Sequence, residues 1–164
     1  MTAEFLFNAA NFFVLPFWTL MVVLPNWNVT KRVMTSFWPF ILLAITYVYL
    51  FVSGLTPEAA EEFSSAGLSD IARLFSQEQF AATAWVHFVV IDLFTGRWIY
   101  QDGQSLNVFT RHSLVLCLFA GPIGLLSHIL TRSGVQWLRS RKMGSNEQVA
   151  EGVSSVSEGS PSKV

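Results

Sequence analysis

The sequence predicts an all-α membrane protein, a bundle of four transmembrane helices with a short interfacial helix between the second and third. Two observations carry this. Of the 164 residues, 52% are hydrophobic, 15% aromatic and only 13% charged, with a mean hydropathy of +0.45, too apolar for an ordinary soluble domain of this length. The apolar residues also fall in four stretches, Phe5 to Leu24, Val33 to Gly54, Phe80 to Tyr100 and Asn107 to Leu130. Each is long enough to cross roughly 30 Å of hydrocarbon at about 1.5 Å per helical residue.

The first stretch reads as a mature helix, because it lacks a basic n-region and ends in Pro25-Asn26-Trp27 in place of a small-residue cleavage site. The apolar pattern begins at residue 5, so no plastid presequence is expected. Pro25 stops this helix and Asn28 and Thr30 suit a turn before the second, giving an antiparallel hairpin. Pro16 and Pro39 are expected to kink their spans and free backbone carbonyls. Leu55 to Gln79 combines Glu58, Glu61, Glu62, Asp70 and Glu78 with Leu68, Ile71, Leu74 and Phe75 near helical spacing, the pattern of an interfacial helix. After the fourth span, Arg132, Trp137, Arg139, Arg141 and Lys142 form a basic, aromatic headgroup anchor. The chain thus divides into a transmembrane domain over 1–132 and, over 133–164, an anchor followed by a polar tail, unstructured from Met143. Four crossings place both termini on one side, expected to be cytoplasmic. The opposing loops then hold Lys31, Arg32, Arg97 and Arg111, which weakens the charge bias.

A net charge of -1 argues against nucleic acid, which needs a basic face. Cys117 is the sole cysteine and lies in a span, so neither a disulfide nor a cysteine metal cluster is expected. Three histidines cannot supply the His boxes of membrane di-iron enzymes. His87 and His128 as axial haem ligands differ in depth by about 5 to 7 Å on a helical count. No metal and no cofactor is expected.

Ionisable groups inside the hydrocarbon cost several kcal/mol and mark functional candidates. On the first helix, Glu4, Asn8 and Asn11 form one stripe with Leu15 and Trp18, expected to face inward. The third carries Thr83, His87 and Arg97 on one side and Asp92 with Trp85 on the other, so it is expected to be the most enclosed. The fourth presents Thr110, Ser113, Cys117, Gly121, Gly124, Ser127 and His128, a small-residue face for close packing. Counted by depth, Asn8, Asn11, Thr83, His87 and His128 form one polar cluster. Asp92, Arg97, Asp102, Arg111 and His112 form another, across an apolar middle. The second cluster reads either as an ion-pair lattice tying the last turn or as a site in which a desolvated Asp92 transfers protons.

The run Trp85-x-His87, Asp92-Leu93-Phe94-x-Gly96-Arg97-Trp98, Asp102, Arg111-His112 and Gly121-Pro122-x-Gly124-Leu125-Leu126 resembles the ABA4-like family of four-helix membrane proteins. So does Asn8-x-x-Asn11 followed by Pro16-Phe17-Trp18 and Pro25-Asn26-Trp27. Plant members are needed to make neoxanthin from violaxanthin in plastid membranes. The resemblance implies xanthophyll metabolism in a thylakoid or plasma membrane, with a cyanobacterial origin expected from the missing presequence. The implied reaction opens a 5,6-epoxide to an allene with a hydroxyl. An acid assists the leaving oxygen and a base takes a proton from the adjoining polyene carbon, with no electron transfer.

On that reading Asp92 is acid or base, His87 or His112 the second proton carrier, and Arg97 and Arg111 stabilise oxyanion charge. Asn8, Asn11, Trp18, Thr83, Trp85, Trp98 and Asp102 contact a substrate about as long as the bilayer is thick, its polar ends matching the two clusters. The alternative is a non-catalytic carotenoid-binding or assembly protein in which Trp18, Trp38, Trp85 and Trp98 pack a pigment or partner helix. The expected partners are a carotenoid or other lipid-soluble molecule and membrane lipid, with a homodimer or a photosynthetic membrane complex left open.

Overall fold

The computed structural model describes residues 2–64 and 67–158. Among them the chain is helical throughout with no strand: α1 Ala3–Val23, α2 Asn28–Thr35, α3 Trp38–Gly54, α4 Pro57–Ser64, α5 Leu68–Phe75, α6 Glu78–Leu106, α7 Arg111–Phe119 and α8 Gly121–Glu158. By length and composition α1 and α6 are apolar enough to cross a membrane. A third crossing results if α2 and α3, bent by 46° at their junction, count as one span. Among the described residues, two or three spans could therefore cross a membrane, not clearly the four expected.

α6 is the central post, in contact with α1, α3, α5, α7 and α8. α1 runs parallel to it: Asn11 meets Trp85, Trp18 lies on Gly96 and the Tyr100 hydroxyl donates to the Pro25 carbonyl at 2.7 Å. α3 runs antiparallel, pairing Phe40 with Phe94, Tyr47 with His87 and the Leu50 carbonyl with Gln79. Met21, Leu43, Leu50, Val86, Leu93, Ile99, Leu114 and Cys117 are buried at the core of these contacts. Asn8 is exposed, contrary to the expected inward stripe, because the buried face of α1 is Leu6, Ala10, Val14, Phe17, Trp18 and Met21.

Asn107 to Leu130, expected as the fourth crossing, doubles back instead. α7 and α8 are antiparallel: Cys117 lies against Gly124, the Ser113 and Ser127 hydroxyls are 3.0 Å apart, and His112 meets Thr131 at 2.9 Å. The small-residue face read as a surface for a neighbouring helix is the seam between the two halves of its own stretch. α8 then runs parallel to α6, Gly121 beside Asp92, His128 on Asp102 and Arg139 on the Leu106 carbonyl. The reversal has a local cause. In a continuous helix the Pro122 ring would clash with the carbonyl four residues back, and the chain instead breaks at Ala120 (φ -158, ψ 91). α7, with 9 residues, covers only about 14 Å, half the hydrocarbon.

Further differences follow. The N-terminus of α1 and the exit of α8 lie at opposite ends of the bundle, and His128 joins the cluster of Asp102, not that of His87. Pro16 stays inside an unbroken α1, whereas Pro39 starts α3 just past the bend. The segment before α6 forms two short helices, α4 and α5, where one was expected. The backbone is helical through Glu158, in a region read as an unstructured tail; residues 159–164 of that tail lie outside the described residues.

The seam gives a direct test. A Cβ at Gly124 would overlap the Cys117 backbone, while one at Gly134 meets nothing within 4 Å. Gly124→Val should lower the melting temperature in detergent, costing about 1–3 kcal/mol by overpacking, and Gly134→Ala should leave it level or raise it slightly. Equal melting of both variants would show that α7 and α8 do not pack at this seam.

Candidate functional site

The break at Ala120 leaves an opening beside α6. A cavity of 720 Å³ forms there, lined by Asn11, Leu15 and Trp18 of α1, by Trp85, His87, Phe88, Asp92 and Thr95 of α6, and by the α7–α8 tip from Leu118 to Pro122. Phe12 and Phe119 on its rim are 72% and 81% exposed, so it opens sideways, toward lipid in a membrane setting. The volume lies in the range of small-molecule sites.

Among the described residues that line it, Asp92 is the only carboxylate. The side chain faces the backbone N–H of Gly121 as a hydrogen-bond partner, and a Cβ on Gly121 would overlap the carboxylate. The remaining donors of that first turn are settled: Pro122 has none, and Ile123 and Gly124 both donate to the Ala120 carbonyl at 3.0 and 3.1 Å. The positive end of the α8 dipole therefore meets a carboxylate. The Cys117 thiol contacts the Asp92 backbone carbonyl at 3.5 Å, tying α7 to the same turn.

Asn11 works as a latch. Its amide donates to the Phe7 carbonyl at 2.9 Å and accepts from Trp85 Nε1 at 2.9 Å, and the Phe7 and Trp85 rings sit 5.6 Å apart. Trp85 is thereby held along the cavity wall. Trp18 is fixed by its seat on Gly96. The His87 ring lies 5.5 Å from Tyr47 and 6.2 Å from Phe88. His87 and Phe88 also line a second cavity of 410 Å³ below α4, with Phe51, Ala60, Thr83 and Ala84, so the two cavities meet at this pair.

Of the residues expected to be catalytic, Asp92 and His87 share the cavity, and Arg97, Arg111 and His112 do not line it. Arg97 is buried and turned toward α2, donating from Nε to the Met34 carbonyl at 2.6 Å and from Nη2 to that of Thr35 at 3.5 Å, with the guanidinium 4.3 Å from the Phe37 ring centre. It caps carbonyls freed where α2 ends. His112 bonds Thr131 and stacks on Phe109, and Arg111 is exposed at the start of α7. Of the expected substrate contacts, Asn11, Trp18 and Trp85 line the cavity, Thr83 lines the second, and Asn8 lines neither.

Trp98 and Asp102 belong to a separate cluster. His128 Nε2 donates to Asp102 at 2.9 Å, Arg132 approaches the other oxygen at 3.3 Å, and the Trp98 ring stands edge-on to His128 at 5.3 Å. His128 is fully buried and, among the described residues, its Nδ1 has no partner. Sequence reasoning missed Thr95, Leu118 and the tip itself as wall. The Gly121-Pro122 pair marked a break, but only the fold shows what the break encloses.

Helices long and apolar enough to cross a membrane, a laterally open cavity and a carboxylate at a helix break mark a small helical protein of membrane-spanning type. The chain belongs to the ABA DEFICIENT 4-like (ABA4-like) family, whose model matches residues 5–128. It is 43% identical over 136 residues to Protein ABA DEFICIENT 4, chloroplastic, of Arabidopsis thaliana, a match covering 80% of this chain and 62% of that protein. The chain thus spans less than two thirds of its relative's length. That relative is a plant chloroplast protein, which does not bear out the cyanobacterial origin expected from the sequence. No solved structure matches.

The Asp102 cluster predicts a coupling. Asp102→Leu should strip His128 and Arg132 of their acceptor at about 1–3 kcal/mol, and His128→Leu should cost less in that background than alone. A double-mutant cycle of detergent unfolding reads the difference; strictly additive losses would show that the pair does not hold α8 to α6.

Proposed function

We propose that this chain acts in xanthophyll metabolism in a photosynthetic membrane, taking a xanthophyll end group sideways from lipid into the Asp92 cavity and isomerising a 5,6-epoxide to an allene. The observation that carries this reading is the cavity itself: apolar, aromatic, open toward lipid, and furnished with one carboxylate and one histidine. Family membership supplies the substrate class.

The chemistry needs one proton donor and one acceptor. Asp92, set against the Gly121 N–H and the start of α8, takes the proton from the polyene carbon next to the epoxide. His87, on the same wall, donates to the epoxide oxygen as its C–O bond opens, so the product carries a hydroxyl and an allene. Trp85 and Trp18 flank the ring, and the second cavity beyond His87 and Phe88 receives the polyene. Arg97 and Arg111 have no part in this scheme, since neither lines the cavity.

The test is expression in cells that accumulate violaxanthin, followed by pigment extraction. Neoxanthin should form with the unaltered chain and fall about 100-fold or more with Asp92→Asn or His87→Ala, in keeping with the loss of general acid–base catalysis. Carotenoid that co-purifies chemically unchanged, with no neoxanthin, would sink the enzymatic reading and leave a pigment-binding protein.

A further inference from the structure

The two ends of the bundle carry opposite charge, and the doubling-back of α7 and α8 is the cause. At the end where α1 stops, α2 carries Lys31 and Arg32, α7 begins at Arg111, and α8 leaves with Arg132, Arg139, Arg141 and Lys142. The other end holds Glu4, the α4 and α5 residues Glu58, Glu61, Glu62 and Asp70, and Glu78. Arg73 is the sole basic residue there, 3.9 Å from Asp70. Had the last apolar stretch crossed the bundle, four of the seven cations would have moved to the acidic end and the contrast would vanish.

The basic end is also unneutralised. Lys31, Arg32, Arg111, Arg141 and Lys142 are exposed, and among the described residues none of them is ion-paired with a carboxylate. Arg139 holds the Leu106 and Asn107 carbonyls, and among the described residues only Arg132 has an acidic partner, Asp102. Trp27 and Trp137 are 51% and 54% exposed at this end, and Arg141 stacks on Trp137 at 4.0 Å, an arrangement suited to the headgroup layer. Glu147, Glu151 and Glu158 follow only after more than a turn of helix beyond Lys142.

We propose that this end is a docking surface for anionic lipid headgroups and lies on the cytoplasmic or stromal side, with the N-terminus on the opposite side. Positive residues flanking short loops stay on the side of synthesis, and an anionic leaflet attracts cations held at its surface. This holds whatever the cavity does, and it replaces the expectation that both termini share one side.

Cys117 is buried, so single-cysteine reporters read topology against a silent background. In intact spheroplasts of an expressing bacterium, an impermeant maleimide should label Thr2→Cys and Ser69→Cys but label Ser140→Cys only after permeabilisation. Labelling of Thr2→Cys and Ser140→Cys from one side would overturn the doubling-back, and the inverse pattern would overturn the charge assignment. For the lipid, the detergent-purified chain should bind dioctanoyl phosphatidylglycerol and not dioctanoyl phosphatidylcholine. Affinity should weaken as salt is raised and fall about tenfold or more in the Lys31→Gln, Arg32→Gln, Arg141→Gln, Lys142→Gln variant. Equal binding of both lipids, or salt-independent binding by the unaltered chain, would refute anionic selectivity.

Discussion

Hydrocarbon offers no hydrogen bond to a peptide group, so a helix that stops inside a membrane must have its orphaned groups met by protein. This chain stops twice within its bundle, and α6 supplies the partner both times. Where α2 ends, carbonyls are left over and a cation meets them, Arg97 on the Met34 and Thr35 oxygens. Where α8 begins, an N–H is left over and a carboxyl oxygen meets it, Asp92 at Gly121. The signs match the two helix ends, negative at a C-terminus and positive at an N-terminus. Two charges five residues apart on one helix thereby let two broken helices exist.

The second break is also what makes room. A continuous helix from Asn107 to Leu130 would have laid unbroken side-chain bulk along α6. Because α7 stops at Phe119 and α8 restarts at Gly121, the wall ends in a tip of Gly121 and Pro122, and the cavity occupies the gap. Gly121 leaves room for this contact, since a side chain there would overlap the carboxylate unless Asp92 turned away. Two contacts farther along α8, His128 and Arg132 on Asp102, set the register that brings Gly121 to Asp92. The carboxylate, the glycine facing it and the contacts that set their register therefore lie on one pair of parallel helices.

Much of this was legible in the sequence. The spans that became α1 and α6 were plain from length and hydropathy, and Asn11, Trp18, Trp85, His87 and Asp92 stood out as polar or aromatic residues at membrane depth. The role of Arg97 was not legible, because nothing in the sequence near residue 97 shows that carbonyls 62 and 63 positions earlier would need a donor. The direction of the chain after Pro122 was hidden for a related reason. A hydropathy window counts residues and is satisfied equally by one crossing or by two half-crossings. The stripe of Ser113, Cys117, Gly124 and Ser127 announces close packing without naming the partner, which proved to be the stripe's own other half. His128 was misplaced in depth as a direct consequence.

Depth constrains the ligand more tightly than the sequence did. Asp92 stands fourteen residues from each end of α6, about 21 Å from either at 1.5 Å per residue, and so near the bilayer midplane. A carboxylate there is expensive, and the start of α8 offsets part of that cost. A bilayer-long xanthophyll with its polar ends at the two faces, the picture drawn from two polar clusters, would pass its unreactive middle by Asp92. For an end group to meet the carboxylate, the ring must enter at mid-depth and the polyene must leave past His87 and Phe88 toward the cavity below α4. The sideways mouth and the shared His87 wall of the two cavities fit that path, and on the proposed reading the lipid phase itself is the route of entry.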